Sequence, residues 1–339
     1  MTVFHGTGDV ANGIPGRMAT KNSTQTQPTI DVVIPVYNGQ DYIIQAITSV
    51  EQQSYPPEKI VMVDDGSTDR TAQLVRSHTS SIPLTLVQQA RGGPNAARNR
   101  GIRQCASDYV AFLDADDAWY GNKLAEQITT FQTSEFPNLG VVYCQYDIMN
   151  DRGMSAMEHF VLRINTKLRG SIFETLLVAN TIASSASGVL VKRSCFERVG
   201  LFDENLTTAE DWDMWLRLAQ VYAFDYTDKT LVRIRRHGNS AQNDELRVFS
   251  GDLAFYNKWL RILPETTSIP REWVRNIVDR IFARLPKLDF LAVLRQRLSP
   301  PAQQRLRRVA WRRLKLYVCV KVALLPVILL RNAIKSAFR

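Results

Sequence analysis

Ile30-Asp31-Val32-Val33-Ile34-Pro35-Val36, stopped by Tyr37-Asn38-Gly39, is the stretch that decides the fold. A short run dominated by β-branched side chains and closed by turn-forming residues predicts a strand buried on both faces. A helix is expected next, because Ile43, Ala46, Ile47 and Val50 recur at helical spacing before the Pro56-Pro57 pair. The pattern then repeats. Strands are predicted at 59–63, 84–88 and 109–113, with helices around Ala72, Leu74 and Val75 and over 95–105. Such alternation predicts a parallel α/β sheet with right-handed crossovers. The second half is less regular: strands at 141–146 and 187–192, extended chain over 226–235, and helices over 121–131, 211–220 and beyond 244.

In open sheets of this kind ligands gather beyond the carboxyl ends of the strands, and here those ends are polar. The first strand delivers Tyr37, which is either a half-buried aromatic or a platform for a nucleobase. The second runs into Asp64-Asp65-Gly66-Ser67-Thr68-Asp69. A turn and helix cap explains Ser67 and Asp69 better than it explains Asp65, whose carboxylate can accept hydrogen bonds from a base or ribose. The fourth strand enters Asp114-Ala115-Asp116-Asp117. Carboxylates so close repel one another unless a cation or several donors offset them, and hard oxygen ligands suit Mg²⁺ or Mn²⁺. A solvated turn with an Asx cap accounts for the same residues.

Three further segments carry candidate chemistry. The loop from Arg91 through Gly92, Gly93 and Pro94 leads into a helix whose N-terminus suits a diphosphate, and surface placement explains Arg91, Arg100 and Arg103 better than Arg98. Glu210-Asp211-Trp212-Asp213 opens an amphipathic helix, although acids at a helix start are favoured by the dipole whatever the function. His237, in Arg235-Arg236-His237-Gly238, is a surface histidine or a metal or phosphate contact.

Composition excludes several classes. Hydrophobic residues are 45% and charged residues 22% of 339, which is ordinary for a globular chain. The net charge of +9 is a property of residues 300–339, which hold ten Lys or Arg and no acid; the remainder carries 32 bases against 33 acids. A nucleic-acid partner thereby loses its main support. The four cysteines lie far apart without a C-x-x-C pair, so neither a zinc ribbon nor a disulfide framework is implied, and a cytoplasmic setting fits. Residues 1–28, rich in Thr, Gly, Gln and Asn, are expected to be a disordered leader; Gly6, Gly8 and Gly13 make only a loose dinucleotide fingerprint with no strand before them.

Val-Val-Ile-Pro-Val-Tyr-Asn, Val-Asp-Asp-Gly-Ser-Thr-Asp, Asn-Ala-Ala-Arg-Asn-Arg-Gly, Phe-Leu-Asp-Ala-Asp-Asp, Gly-Leu-Phe-Asp-Glu and Glu-Asp-Trp-Asp follow one another over residues 29–240. In that order they resemble the family 2 glycosyltransferases. The resemblance implies a GT-A fold, with a mixed, mostly parallel central sheet, and inverting transfer of a sugar from a nucleotide diphosphate donor (UDP, dTDP or GDP) with Mn²⁺ or Mg²⁺. It implies that Pro35 and Tyr37 flank the nucleobase, that Asp65 hydrogen-bonds it, and that Arg98 lies near base and phosphates. Asp117 would ligate the metal with Asp116 nearer the ribose, His237 would contact metal or diphosphate, and Asp211, beside Glu210, would be the general base. Segments 184–189 and 200–204 would shape the acceptor side. No Q-x-x-R-W motif of the processive synthases is present, the nearest segment at 304–311 having the wrong order, so single-sugar addition is expected.

The domain plan is then a catalytic domain over 29–243, a helical extension over 244–299 and a basic tail over 300–339. Residues 316–330 are apolar but interrupted by Lys321 and Pro326, short of the ~20 residues that span a bilayer. Before them Leu306, Ala310, Leu314 and Tyr317 share one helical side, and Arg305, Arg308 and Arg312 another. That arrangement suits an interfacial helix on anionic lipid at the cytoplasmic face, or a helix packed back on the catalytic domain. With the tail on lipid, a lipid-linked acceptor or a glycan precursor assembled at the cytoplasmic leaflet is the expectation. A silent sugar-nucleotide-binding scaffold of the same fold, or a protein acting through its tail alone, are the alternatives.

Overall fold

The structure, a computed structural model, describes residues 27–150, 167–182, 185–236, 245–263 and 272–273. Its chain order begins β1 (Ile30–Val36), α1 (Ile43–Glu51), β2 (Lys59–Asp64), α2 (Thr71–Ser77), β3 (Leu84–Gln88), α3 (Pro94–Ile102) and β4 (Tyr109–Phe112). It continues with β5 (Ala118–Trp119), α4 (Lys123–Thr133), β6 (Leu139–Met149), α5 (Phe173–Val178), a 3₁₀ turn at Ala186–Gly188, β7 (Val189–Lys192), α6 (Ser194–Val199), α7 (Glu210–Ala219), β8 (Ala223–Arg235) and α8 (Glu245–Ile262).

All seven residues of β1 are buried, as expected of a central strand covered on both faces. It pairs in parallel with β2 (Val33 opposite Val61) on one side and with β4 (Val33 opposite Phe112) on the other. Successive side chains point to opposite faces. Val32 and Ile34 therefore join Ile43 and Ile47 of α1 and Leu124 of α4, whereas Val33 joins Phe112 and the Trp212–Trp215 side of α7. Full burial of each such aliphatic side chain contributes about 1.5–3 kcal/mol. The helix α3 can lie on β1 only because residue 101 is glycine: a Cβ there would stand 2.4 Å from Val33 Cγ1.

The eight strands run β3-β2-β1-β4-β7-β6-β8-β5. The parallel half is as the alternation predicts. In the other half β7 enters antiparallel between β4 and β6, β6 and β8 pair in parallel, and β5 closes the edge antiparallel to β8, so the sheet is mixed. The strand expected from 187 begins instead with a 3₁₀ turn that brings Ser187 under the acidic turn. The helix expected over 95–105 starts one residue earlier, with Pro94 in its first turn, and ends at Ile102. Two short helices, α5 and α6, and the two-residue β5 carry no periodicity that a sequence pattern can register.

Helix α8 shares the α7 core; the helical extension expected over 244–299 lies for the most part outside the described residues. Phe255 stacks on Trp212 with ring centroids 4.4 Å apart, and Tyr256, Trp259 and Leu260 are buried with it. Among the described residues no helix is long and apolar enough to cross a membrane. The leader and tail expectations lie outside the described residues.

Candidate active site

The turns at the carboxyl ends of β1, β2 and β4 converge with the start of α7. Asp65 is buried, and its carboxylate accepts hydrogen bonds from Gln89 Nε2 and from the backbone N–H groups of Gly92 and Gly93, each at 2.8 Å. Those bonds fix the loop that leads into α3. Asp64 likewise accepts from Ser67 N and Gln88 Nε2. Tyr37 is 41% exposed, and the Arg91 guanidinium lies 3.4 Å from its ring centroid, so the aromatic face already carries a planar cation. Pro35 is buried within β1, in register with Val63.

The asparagines of α3 supply a signal that sequence reasoning missed. Asn95 donates to the carbonyls of Asp203 and Leu206 at 3.0 and 2.8 Å. Asn99 donates to Phe202 O at 2.9 Å and accepts from Phe202 N at 2.8 Å. A short helix with no apolar stripe that nonetheless buries one face must satisfy polar groups there, and these satisfy the backbone of the loop leading to α7.

Arg98 lies at the junction. It is 5% exposed; its Nη2 donates to Asp114 Oδ1 at 2.8 Å and its Nη1 to Glu210 Oε1 at 3.2 Å. The guanidinium thus ties the end of β4 to the first turn of α7, and its neighbours hold it protonated against the penalty of burial. Beside it Asp211 accepts from Trp212 N at 2.7 Å and, at 3.4 Å, from Asn180 Nδ2. Burial, then repulsion by Glu210, pushes the Asp211 carboxyl up to about 6. That is the value of a group able to accept a proton near neutrality.

Asp117 is buried. Its Oδ2 accepts from Ser187 Oγ at 2.6 Å and its Oδ1 from Arg235 N at 3.0 Å. Burial first, then the charges of Asp116 and Asp114, hold its carboxyl well above the usual range. Ser187 also accepts from Asp114 N at 3.0 Å, so a serine from the segment expected on the acceptor side organises the acidic turn. Arg235 clamps that turn from β8: its Nε donates to Asp116 O at 2.8 Å and its Nη1 to Asn150 O at 2.8 Å. His237 lies outside the described residues, two positions beyond this clamp.

The donor set tests the fit of a divalent cation. Among the described residues no three His, Cys, Asp or Glu side chains form a ready cage. Asp116 and the buried Asp117 are hard oxygen donors in a region whose negative charge lowers itself only by holding protons or a cation. One or two carboxylates completed by substrate phosphates is how Mg²⁺-type ions are commonly held. The residues fit.

Backbone strain concentrates here. The non-glycine residues with positive φ among those described are Asn38 (50°), after β1, Ser185 (56°), whose Oγ donates to Asp114 Oδ2 at 2.8 Å, and Ala209 (58°), immediately before α7.

Comparison with known proteins agrees with this geometry. Residues 31–199 match the sequence profile of Glycosyl transferase family 2. An uncharacterized glycosyltransferase of Rickettsia typhi is 28% identical over 71% of this chain and 74% of its own length. An amylovoran biosynthesis glycosyltransferase of Erwinia amylovora is 32% identical over 56% of this chain and 63% of its own. The fold matches that of a mannosyltransferase from Pyrobaculum calidifontis, solved with GDP-Man and Mn²⁺, with a TM-score of 0.55 over 84% of this chain and 80% of that one at 19% identity. The mixed sheet with acidic turns at its strand ends is a GT-A fold, and the chain belongs to glycosyl transferase family 2.

Proposed function

We propose that this glycosyltransferase moves one sugar per encounter, with inversion, from a nucleoside diphosphate donor (UDP, dTDP or GDP) to a hydroxyl of a glycan or lipid-linked acceptor. The observation that carries the reading is the bridge made by the buried Arg98, which sets Asp114 on the donor side and Glu210-Asp211 on the other side of one half-buried site. The nucleobase would stack on Tyr37 in place of the Arg91 guanidinium that now covers the ring, beside the 89–93 loop whose shape Asp65 maintains. Asp211 takes the proton of the acceptor hydroxyl as its oxygen bonds to C1, and the bond from C1 to the diphosphate oxygen breaks on the opposite face. General-base assistance of this kind is worth about 10²–10⁴ in rate. Asp116 and Asp117, with His237, would hold Mn²⁺ or Mg²⁺, which when bound neutralises charge on the leaving diphosphate. The Erwinia relative's role in a polysaccharide supports a saccharide acceptor, and the Pyrobaculum structure's GDP-Man and Mn²⁺ support a nucleotide sugar and a metal.

The test is nucleoside diphosphate release from a panel of nucleotide sugars, with Mn²⁺, with Mg²⁺ and with chelator. Release from one donor that needs metal and is lost in Asp117→Ala supports the reading. Asp211→Asn should lose ~10²–10⁴ of transfer while nucleotide binding persists; full activity would remove Asp211 from its role. The basic segment 300–339 is proposed to hold the enzyme on anionic lipid at the cytoplasmic face. Its deletion should release the protein to the soluble fraction with nucleotide binding intact, and unchanged membrane association would refute the proposal.

A further inference from the structure

The family match stops at residue 199, before α7 and α8, yet α8 grips the segment that presents Asp211 at three successive levels. At its first level Gly251 faces Thr208. A Cβ on residue 251 would stand 2.0 Å from Thr208 Oγ1 and 2.8 Å from Thr208 N, so helix and loop touch as closely as backbone allows. Thr208 precedes Ala209, the left-handed residue from which α7 departs. At the second level Phe255 stacks on Trp212, the residue after Asp211, with 24° between the rings. At the third, Asp213 is fully buried: its Oδ1 accepts from Trp259 Nε1 at 3.0 Å and lies 2.8 Å from Lys258 Nζ, and its Oδ2 accepts from Arg217 Nε at 2.9 Å. Lys258 also bonds Asp203 at 2.7 Å, in the loop that α3 holds from the opposite side.

Residues 208, 212 and 213 bracket Asp211 in sequence, and each is fixed by a different turn of one helix. The core needs apolar burial from α8 but not this particular register. Close backbone approach at a glycine, a stacked ring pair and a buried charge with three partners all specify position as well as contributing stability. We infer that α8 is a positioning element for the acceptor-side base, with Gly251 as the residue that sets how near the 208–211 segment sits to the donor acids. The inference rests on Asp211 being the base. It extends the working site into a helix outside the family match, and it makes Gly251 a positioning residue that acts through Thr208 and Ala209.

The experiment uses the full chain, the nucleotide sugar that the panel identifies, Mn²⁺, and water as the acceptor. Gly251→Ala is compared with wild type, with Asp211→Asn, and with the double variant Gly251→Ala/Thr208→Gly, which deletes the side chain that the new methyl meets. A misplacement of about 1 Å costs on the order of 10²-fold, so Gly251→Ala should lower kcat ~10–100-fold. Nucleoside diphosphate Kd should stay within about twofold, because binding energy on the donor side is untouched. The double variant should recover part of the loss, because the contacts with Thr208 Oγ1 and Cβ go while the 2.8 Å approach to Thr208 N stays. Lys258→Met, read in the same way, serves if Gly251→Ala does not fold. Wild-type kcat in the folded variants, or equal losses in kcat and nucleotide affinity, overturns the inference. If Asp211→Asn hydrolyses donor at the wild-type rate the base reading itself falls; if Asp211→Asn is inactive while Gly251→Ala is normal, only the role of α8 falls.

Discussion

The two halves of the molecule are built by different means. From β1 to β4 the chain folds by repetition, each strand lying beside one already placed, and each polar turn appearing where a strand ends. From α5 to α8 nothing repeats, and the geometry is held by buried polar side chains acting across long separations: Asn99 to Phe202, Arg98 to Glu210, Trp259 to Asp213. In the proposed function the repeated half is the donor platform, and the long-range polar ties hold the acceptor side, each tie depending on a single residue.

That contrast is easiest to break at Arg98. Arg98→Met removes the buried cation shared by the half-buried Asp114 and Glu210; loss of one partner from a buried pair is destabilising by about 3–5 kcal/mol, and the lower end of that range is expected here because both carboxylates keep some contact with solvent. Chemical denaturation should show this loss, and Arg98→Lys should recover only part, since an ammonium lacks the fork that reaches two carboxylates. A smaller effect is expected at Asn99. Removing its amide leaves buried backbone groups of Phe202 unpaired, for about 1–3 kcal/mol by the same measurement. An equivalent loss from an exposed β3 residue such as Thr85 would erase the distinction between the halves.

The smallest effect concerns pH. As the proposed base Asp211 would have to be ionised to accept a proton, and its carboxyl is raised to about 6, so turnover should fall as pH drops through that value. Glu210→Gln removes the neighbouring charge, the second cause of the elevation, and should move the acid limb to lower pH without abolishing the displacement due to burial. Ionised Asp211 also carries a stability penalty, absent below its ordinary 3.8 and complete above about 6. A pH–rate profile of the two proteins measures the first effect and pH-dependent melting the second.

The sequence shows β1 through β4 clearly, because a buried strand and an amphipathic helix leave period-two and period-3.6 marks in the residues themselves. It shows the acids for the same reason, since Asp65, Asp114, Asp117 and Asp211 stand at element ends. Their partners are another matter. Asp65 holds the 89–93 loop, Ser187 supports Asp117, and Arg98 joins two acidic segments; each pairing brings together residues between 16 and 112 positions apart. No local pattern encodes such a meeting. β7 illustrates the same point, for its four residues read as a strand whether they run with β4 or against it.

Asn38, Ser185 and Ala209 adopt a backbone hand that L-residues enter at a cost of roughly 1–3 kcal/mol each. At Asn38 and Ser185 the side chain answers for the hand: Asn38 Oδ1 accepts from Thr68 N and Ser185 Oγ donates to Asp114, so glycine there would relieve the backbone and delete the bond together. Ala209 has no such side-chain bond to lose, which makes it the position where glycine should raise the melting temperature.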